Sequence, residues 1–275
     1  KHCLNLDGRC FVHGLIDTIY NELYGLVIGK AYNSEQLAYY NKGNQFPRLV
    51  TENINGSISS VILPTLSNEQ DNKEKLKKMM QRAIKTSSFL LFPMIFGLAA
   101  VSEPLIKILL TEKWLQAVPI MQLLCFSYAL WPIHTINLQA INAIGRSDIF
   151  LKLEIIKKII GIIALVISIP FGIQFMIIMK IVISIMSSFI NASPNKKLLN
   201  YSFKEQIKDI LPSLILSIIM LIVTYSILFL KFNDMVTLIL QILVGSIVYF
   251  ALAYCMKVES LTYALDMIKN MKKNK

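Results

Sequence analysis

Charge and catalytic groupings are what this 275-residue chain has least of. Charged residues make up 16% and hydrophobic residues 55%, with a mean hydropathy of +0.55. That balance cannot cover a soluble surface; it describes a polytopic membrane protein. The few carboxylates do not assemble into chemistry: Asp17, Glu22, Glu52 and Glu103 scatter over three apolar runs with no recurring pair. A Ser-His-Asp arrangement would need His134, and no serine or carboxylate of the same run comes into register with it. There is no P-loop and no glycine-rich phosphate loop, so ATP hydrolysis by this chain is not expected. The four cysteines include no CxxC pair; Cys125 and Cys255, inside apolar runs, read as small buried hydrophobes. His2, Cys3, Cys10 and His13 match no familiar ligand spacing, so neither a metal nor a cofactor is expected. No signal peptide opens the chain, which begins with Lys1, and the expectation is the later part of a longer protein.

What is present is a series of long apolar segments. The expected fold is all-α and polytopic, with about eight transmembrane helices: 11–28, 49–66, 87–110, 117–143, 155–173, 175–192, 210–230 and 235–256. Between the second and third, the charged segment 68–85 repeats Leu76, Met79, Met80, Ala83 and Ile84 at helical spacing. It reads as a helix lying in the membrane interface, apolar side down. Pro132 is expected to kink the fourth span. The last two spans show almost no polar stripe and read as a peripheral, lipid-facing pair. The formal charge of +11 reflects topology rather than nucleic acid. With the N-terminus cytoplasmic, the basic residues of 73–85, 146–158, 196–208 and the tail fall inside. Only Lys30, Lys42, Arg48, Lys107, Lys113 and Lys231 fall outside. Both termini are therefore expected in the cytoplasm.

Two spans are too polar on one side for lipid. Asp17, Tyr20, Asn21 and Tyr24 share a face of the first, and Asn53, Gly56, Ser57, Ser60 and Pro64 a face of the second. In the fourth, Tyr128, Trp131, Thr135, Gln139 and Asn142 form a further stripe. Between the first two lies an aromatic-amide stretch, Tyr39–Pro47, read as an outer loop. Intramembrane polar groups face a bundle interior or a water-filled cavity. Amides and hydroxyls exchange hydrogen bonds with sugar hydroxyls, and aromatic rings stack on sugar faces. The same residues also serve as glue between helices. Taken singly they read as glue; as coherent stripes on separate spans they read as cavity lining. Asp17 stands either as a cation- or proton-coupling site or as a carboxylate at the headgroup boundary. Lys180 either snorkels to the interface or presents a cation to an anionic substrate.

The run GLIDTIYNELYGLVIGKAYNSEQLAYYNKGNQFP, with ENINGSISSVILPTLSNEQDN after it, resembles the polysaccharide-biosynthesis flippases of the Wzx type. These share a superfamily with multidrug and toxin extrusion transporters and lipid II flippases. Phe92–Leu124 and the turn Ala143–Asp148 resemble the same family. The resemblance implies a two-lobed transporter that moves a polyprenyl-diphosphate-linked oligosaccharide across the bacterial inner membrane, for surface polysaccharide or O-antigen, by alternating access. It implies that residues 11–194 form the second six-helix lobe. Residues 195–275 then supply a connector, two extra helices and a basic tail, and 1–10 are an atypical leader. The implied partners are the lipid-linked oligosaccharide, membrane lipids and a missing N-terminal lobe. A site between two lobes cannot be closed by one. The alternatives are a cation-coupled drug exporter of the same fold, a non-transporting remnant, or a membrane-embedded polymerase. A polymerase should carry a large outer loop with arginines or histidines; the stretch 29–48 has one arginine and no histidine.

Overall fold

The computed structural model describes residues 22–69 and 72–262, and these contain helices and turns with no strand. The helices are α1 (22–31), α2 (Ser34–Ser67), α3 (Lys73–Ala100), α4 (Ser102–Leu110), α5 (Ala117–Ala129), α6 (Trp131–Ala143), α7 (Ser147–Ser168), α8 (Ile173–Leu199), α9 (Phe203–Ser226) and α10 (Asp234–Cys255). Among the described residues, five stretches are long and apolar enough to cross a membrane: Lys73–Ala100, Ala117–Ala143, Ile173–Leu199, Phe203–Leu230 and Asp234–Cys255. The chain is an all-α multi-pass membrane protein. α2 and α7 are long enough too, but amides and hydroxyls dilute the first, and Lys152, Glu154, Lys157 and Lys158 the second.

The stretch Tyr39–Pro47 is not a loop. It forms the first turns of the 34-residue α2, which runs for roughly 50 Å at 1.5 Å per residue. The Asn33 side chain caps this helix, accepting from Gln36 N at 2.7 Å. The loop-like composition loses to packing at Gly43. A Cβ there would stand 2.8 Å from Ile120 Cγ2 and 3.0 Å from the Ala117 carbonyl oxygen, so only glycine lets α2 lie this close to α5. The expected outer loop shrinks to a break at Tyr32–Asn33.

The expected interfacial helix is likewise the first half of α3. Leu76, Met80, Ala83 and Ile84 are in phase with Ser87, Leu91, Ile95 and Ala99, and this single stripe is buried in the core along the whole helix. The charges that suggested an interface instead join helices. Lys77 Nζ meets Glu205 Oε1 at 2.9 Å, and Lys85 Nζ meets Glu259 at 2.7 Å and Asp209 at 3.5 Å.

The expected third span ends at Ala100, and α4 follows as a separate helix. The fourth breaks at Leu130 into α5 and α6, with Pro132 in the first turn of α6, where its missing N–H costs no hydrogen bond. Gly145, at φ +77°, turns the chain into α7. α9 and α10 are not simply peripheral. Their outer faces expose Ile215, Ile222, Ile239 and Ile247, which suits lipid, but their inner faces carry buried Ser213, Ser217, Thr224 and Gln241. Tyr249 donates to the Phe89 carbonyl at 2.7 Å and Gln241 to the Ala100 carbonyl at 3.4 Å, both on α3. The sequence pattern hid this because single hydroxyls one turn apart barely lower hydropathy. Cys125 is buried, whereas Cys255 is exposed at the end of α10.

Candidate functional site

α2 has two opposite faces. Tyr40, Gly43, Pro47 and Thr51 are buried against the bundle. On the other side Asn41, Gln45, Arg48, Glu52 and Asn53 are exposed, and Gly56, Ser57, Ser60 and Pro64 continue the exposed stripe down the helix. Asn41, Lys42, Asn44, Gln45, Arg48, Leu49, Glu52 and Asn53 line an open groove of about 580 Å³. Arg48 Nε donates to Glu52 Oε1 at 2.7 Å along the helix. Lys42 Nζ stands 5.8 Å from the Trp114 ring. Asn53 Nδ2 donates to the Leu49 carbonyl at 2.7 Å and Ser57 Oγ to the Asn53 carbonyl at 2.9 Å. The groove thus offers a ligand amide donors and acceptors, the Glu52 carboxylate and the cations of Lys42 and Arg48.

Two members of the fourth-span stripe, Tyr128 and Thr135, bond to α2. Tyr128 Oη donates to Asn44 Oδ1 at 2.9 Å, and Thr135 Oγ1 donates to Asn55 Oδ1. The Trp131 ring meets Tyr128 edge-on at 5.5 Å. Trp131, Gln139 and Asn142 are half-buried, and Gln139 Oε1 has no hydrogen-bond partner among the described residues. A helical wheel identifies such a face but not what covers it. Tyr128 and Asn44 connect the two stripes. Asp17, Tyr20 and Asn21, with His2, Cys3, Cys10 and His13, lie outside the described residues. Among the described residues, no group of histidines, cysteines or carboxylates could hold a metal ion.

Lys180 is half-buried and turned toward tyrosine rings. Seven residues past the start of α8, or roughly 10 Å along it, its side chain points into the bundle. Its ammonium stands 5.1 Å from the ring centre of Tyr24, 5.5 Å from that of Tyr128 and 5.9 Å from that of Tyr40. Nζ is 3.4 Å from Tyr40 Oη. The cage thus draws on α1, α2, α5 and α8. Each such contact is worth roughly 0.5–2 kcal/mol, more where water is excluded. Tyr24, expected to line a cavity, is a buried wall of this cage.

A polar cluster that the sequence reading did not foresee lies between α6, α8 and α9. Asn137 Nδ2 donates to Gln206 Oε1 at 2.7 Å, and Gln206 Nε2 returns a bond to Asn137 Oδ1 at 2.9 Å. Asn195 Nδ2 donates to the same oxygen at 2.7 Å. One turn away, His134 Nε2 lies 3.4 Å from Ser184 Oγ and 3.3 Å from Ser188 Oγ, and Nδ1 lies 3.3 Å from Asn191 Nδ2. Ser184, Ser188, Asn191 and Asn195 recur at helical spacing on α8. That stripe was the available signal.

Residues 1–119 match the family described as Polysaccharide biosynthesis protein. The chain is 26% identical over 152 residues to the lipopolysaccharide biosynthesis protein WzxC of Escherichia coli (strain K12), covering 55% of this chain and 31% of that protein. It is 27% identical over 124 residues to the teichuronic acid biosynthesis protein TuaB of Bacillus subtilis (strain 168), covering 45% and 26%. To the succinoglycan biosynthesis transport protein ExoT of Rhizobium meliloti (strain 1021) it is 26% identical over 102 residues, covering 37% and 21%. The matches thus span less than a third of these relatives' own lengths. Among solved structures, the lipid II flippase MurJ in an inward closed conformation shares the fold, with a TM-score of 0.76 and 22% identity. It covers 93% of this chain, and this chain covers 54% of it.

Proposed function

We propose that this chain, which belongs with the Wzx-type polysaccharide-biosynthesis proteins, is the second lobe of a transporter that flips a polyprenyl-diphosphate-linked oligosaccharide for surface polysaccharide. The observation that carries the reading is the face of α2. While the outward faces of α7 to α10 are rich in isoleucine, leucine and phenylalanine, α2 keeps a largely polar exposed face from Asn41 to Ser60, with a groove of about 580 Å³ along it. Lipid does not reward such a face. A sugar chain does: it supplies hydroxyl donors to the amide and serine oxygens, while Lys42 and Arg48 can meet phosphate oxygens.

In this reading the protein sits in the bacterial inner membrane with both termini cytoplasmic. The groove is half of a central path, and a first lobe, on the same or a separate chain, supplies the other half. Rocking of the two lobes opens the path alternately to each side. Tyr128 and Thr135 support α2 from behind through Asn44 and Asn55. The chain performs no bond-making step; it binds, shields and turns its cargo. The test is complementation of a strain lacking its glycan flippase. The chain together with a first lobe is expected to restore surface glycan, and the chain alone is not. No restoration with both lobes would sink the transport reading, and restoration by the chain alone would overturn the two-lobe requirement.

A further inference from the structure

Charges at the corner between α8 and α9 are sorted by direction. The α9 carboxylates are taken up within the chain. Lys77 Nζ of α3 meets Glu205 Oε1 at 2.9 Å; Asp209 accepts from Tyr201 Oη at 2.7 Å and lies 3.5 Å from Lys85 Nζ. Their neighbours Lys204 and Lys208 are exposed. Those two lysines are in phase with Leu211, Ile215 and Ile222, the outward apolar stripe of the same helix. On α8 the outward stripe of Ile185 and Phe189 continues through exposed Ser193 to exposed Lys196 and Lys197. Two contacts bring the four lysines to one place. Asn137 Oδ1 accepts from Asn195 of α8 at 2.7 Å and from Gln206 of α9 at 2.9 Å, which sets those two turns level. The Phe189 and Phe203 rings meet edge-on at 5.5 Å and join the outward faces.

A positive-inside bias accounts for lysines at this end of the helices but not for their phase around them. Loops and other helix sides would satisfy that bias equally. We propose that Lys196, Lys197, Lys204 and Lys208 form a binding site for the headgroup of an anionic phospholipid, at the end of the lipid-facing surface of α8 and α9. The occupant is a lipid because each lysine-bearing stripe becomes apolar within two turns, at Phe189 on α8 and at Leu211 on α9, both exposed. Acyl chains run along those residues while phosphate oxygens meet the ammoniums. An acidic protein segment matches the charges but not their apolar continuation. The lysine methylenes lie along the same surface and carry the charge to headgroup level. The site requires only that the chain cross the membrane, which holds with or without transport.

The experiment places the purified chain in phosphatidylcholine nanodiscs doped with phosphatidylglycerol or phosphatidylcholine bearing the same acyl-chain nitroxide. A fluorophore on Ser193→Cys reports the local concentration of each by quenching, with Cys3, Cys10, Cys125 and Cys255 changed to serine. Ile222→Cys, at the far end of the α9 stripe, is the comparison. Labelled phosphatidylglycerol should be enriched over labelled phosphatidylcholine by about tenfold or more at position 193 and not at position 222. Replacing the four lysines by glutamine should abolish the enrichment, and replacing them by arginine should keep it. In the unaltered lysine protein, raising salt from about 0.05 M to about 0.5 M should lower it severalfold. Equal quenching by the two lipids at position 193, enrichment retained by the glutamine protein, or enrichment indifferent to salt overturns the site. In cells, a photo-crosslinking residue at Ser193 should capture phospholipid. Capture of protein alone would give this face to an acidic partner and overturn the proposal.

Discussion

Replacing Asn137 by leucine removes three side-chain hydrogen bonds between helices: two with Gln206 on α9 and one with Asn195 on α8. Interhelical hydrogen bonds in membrane bundles average about 0.6 kcal/mol each, giving about 2 kcal/mol together. Gln206, fully buried, then keeps an amide group without a partner, at a further ~1 kcal/mol or so, while Asn195 Nδ2 keeps its bond to the Asn137 backbone carbonyl at 3.2 Å. The expected loss is about 2–4 kcal/mol, or a midpoint lowered by roughly 5–15 °C for a chain of this size. Cys125 supplies the assay, because its buried thiol becomes reactive only on unfolding. A thiol-activated fluorophore would follow it with Cys3, Cys10 and Cys255 changed to serine. Asn137→Leu combined with Gln206→Leu should cost less than the sum of the two single changes, since the orphaned Gln206 amide leaves as well. A midpoint shift under 2 °C, or strict additivity, would refute the claim that this cluster ties α9 to the lobe.

Other outcomes follow from close approaches and surface charges. Gly43→Ala forces a Cβ against Ile120 and the Ala117 backbone and should destabilise by about 1–3 kcal/mol in the same thermal assay. Gly56→Ala meets nothing within 4 Å on the exposed face and should be neutral or stabilising by up to ~1 kcal/mol. Gly245→Leu should separate α10 from α9, because even a Cβ there stands 2.9 Å from Thr224 Oγ1. Engineered-cysteine crosslinking between the two helices should then be lost. The Arg146 guanidinium holds the Asp148 carboxyl at about 2, below its ordinary 3.8. A depressed folded value means that this pair contributes above the ordinary carboxylate range and loses its contribution as pH falls toward 2. A ¹³C carboxyl titration should show this, and Arg146→Ala should return Asp148 to the ordinary range.

Hydropathy and helical periodicity made the membrane class and most helix positions legible, because an apolar run of span length has few other uses. Boundaries failed where tertiary packing overrode local composition. The residues Tyr39–Pro47 look like a loop, yet the missing side chain of Gly43 lets them pack as helix against α5. The charges of 73–85 suggested a surface helix, although the stripe Leu76–Ala99 runs unbroken through it. For the site, the exposed stripe Asn53–Ser60 was readable from spacing alone. The Lys180 cage was not, since it gathers four helices distant in sequence. The same holds for Asn137 with Gln206, 69 residues apart.

The central claim is that cargo travels along the exposed face of α2. A photo-crosslinking residue placed singly at Asn41, Gln45 or Asn53, and for comparison at Ile218 on α9 or Ile247 on α10, tests it in cells that assemble a lipid-linked glycan, with a first lobe present. Capture of lipid-linked sugar at the three α2 positions and not at the other two is the predicted result. Capture confined to α9 and α10, or equal at all five, would contradict the account.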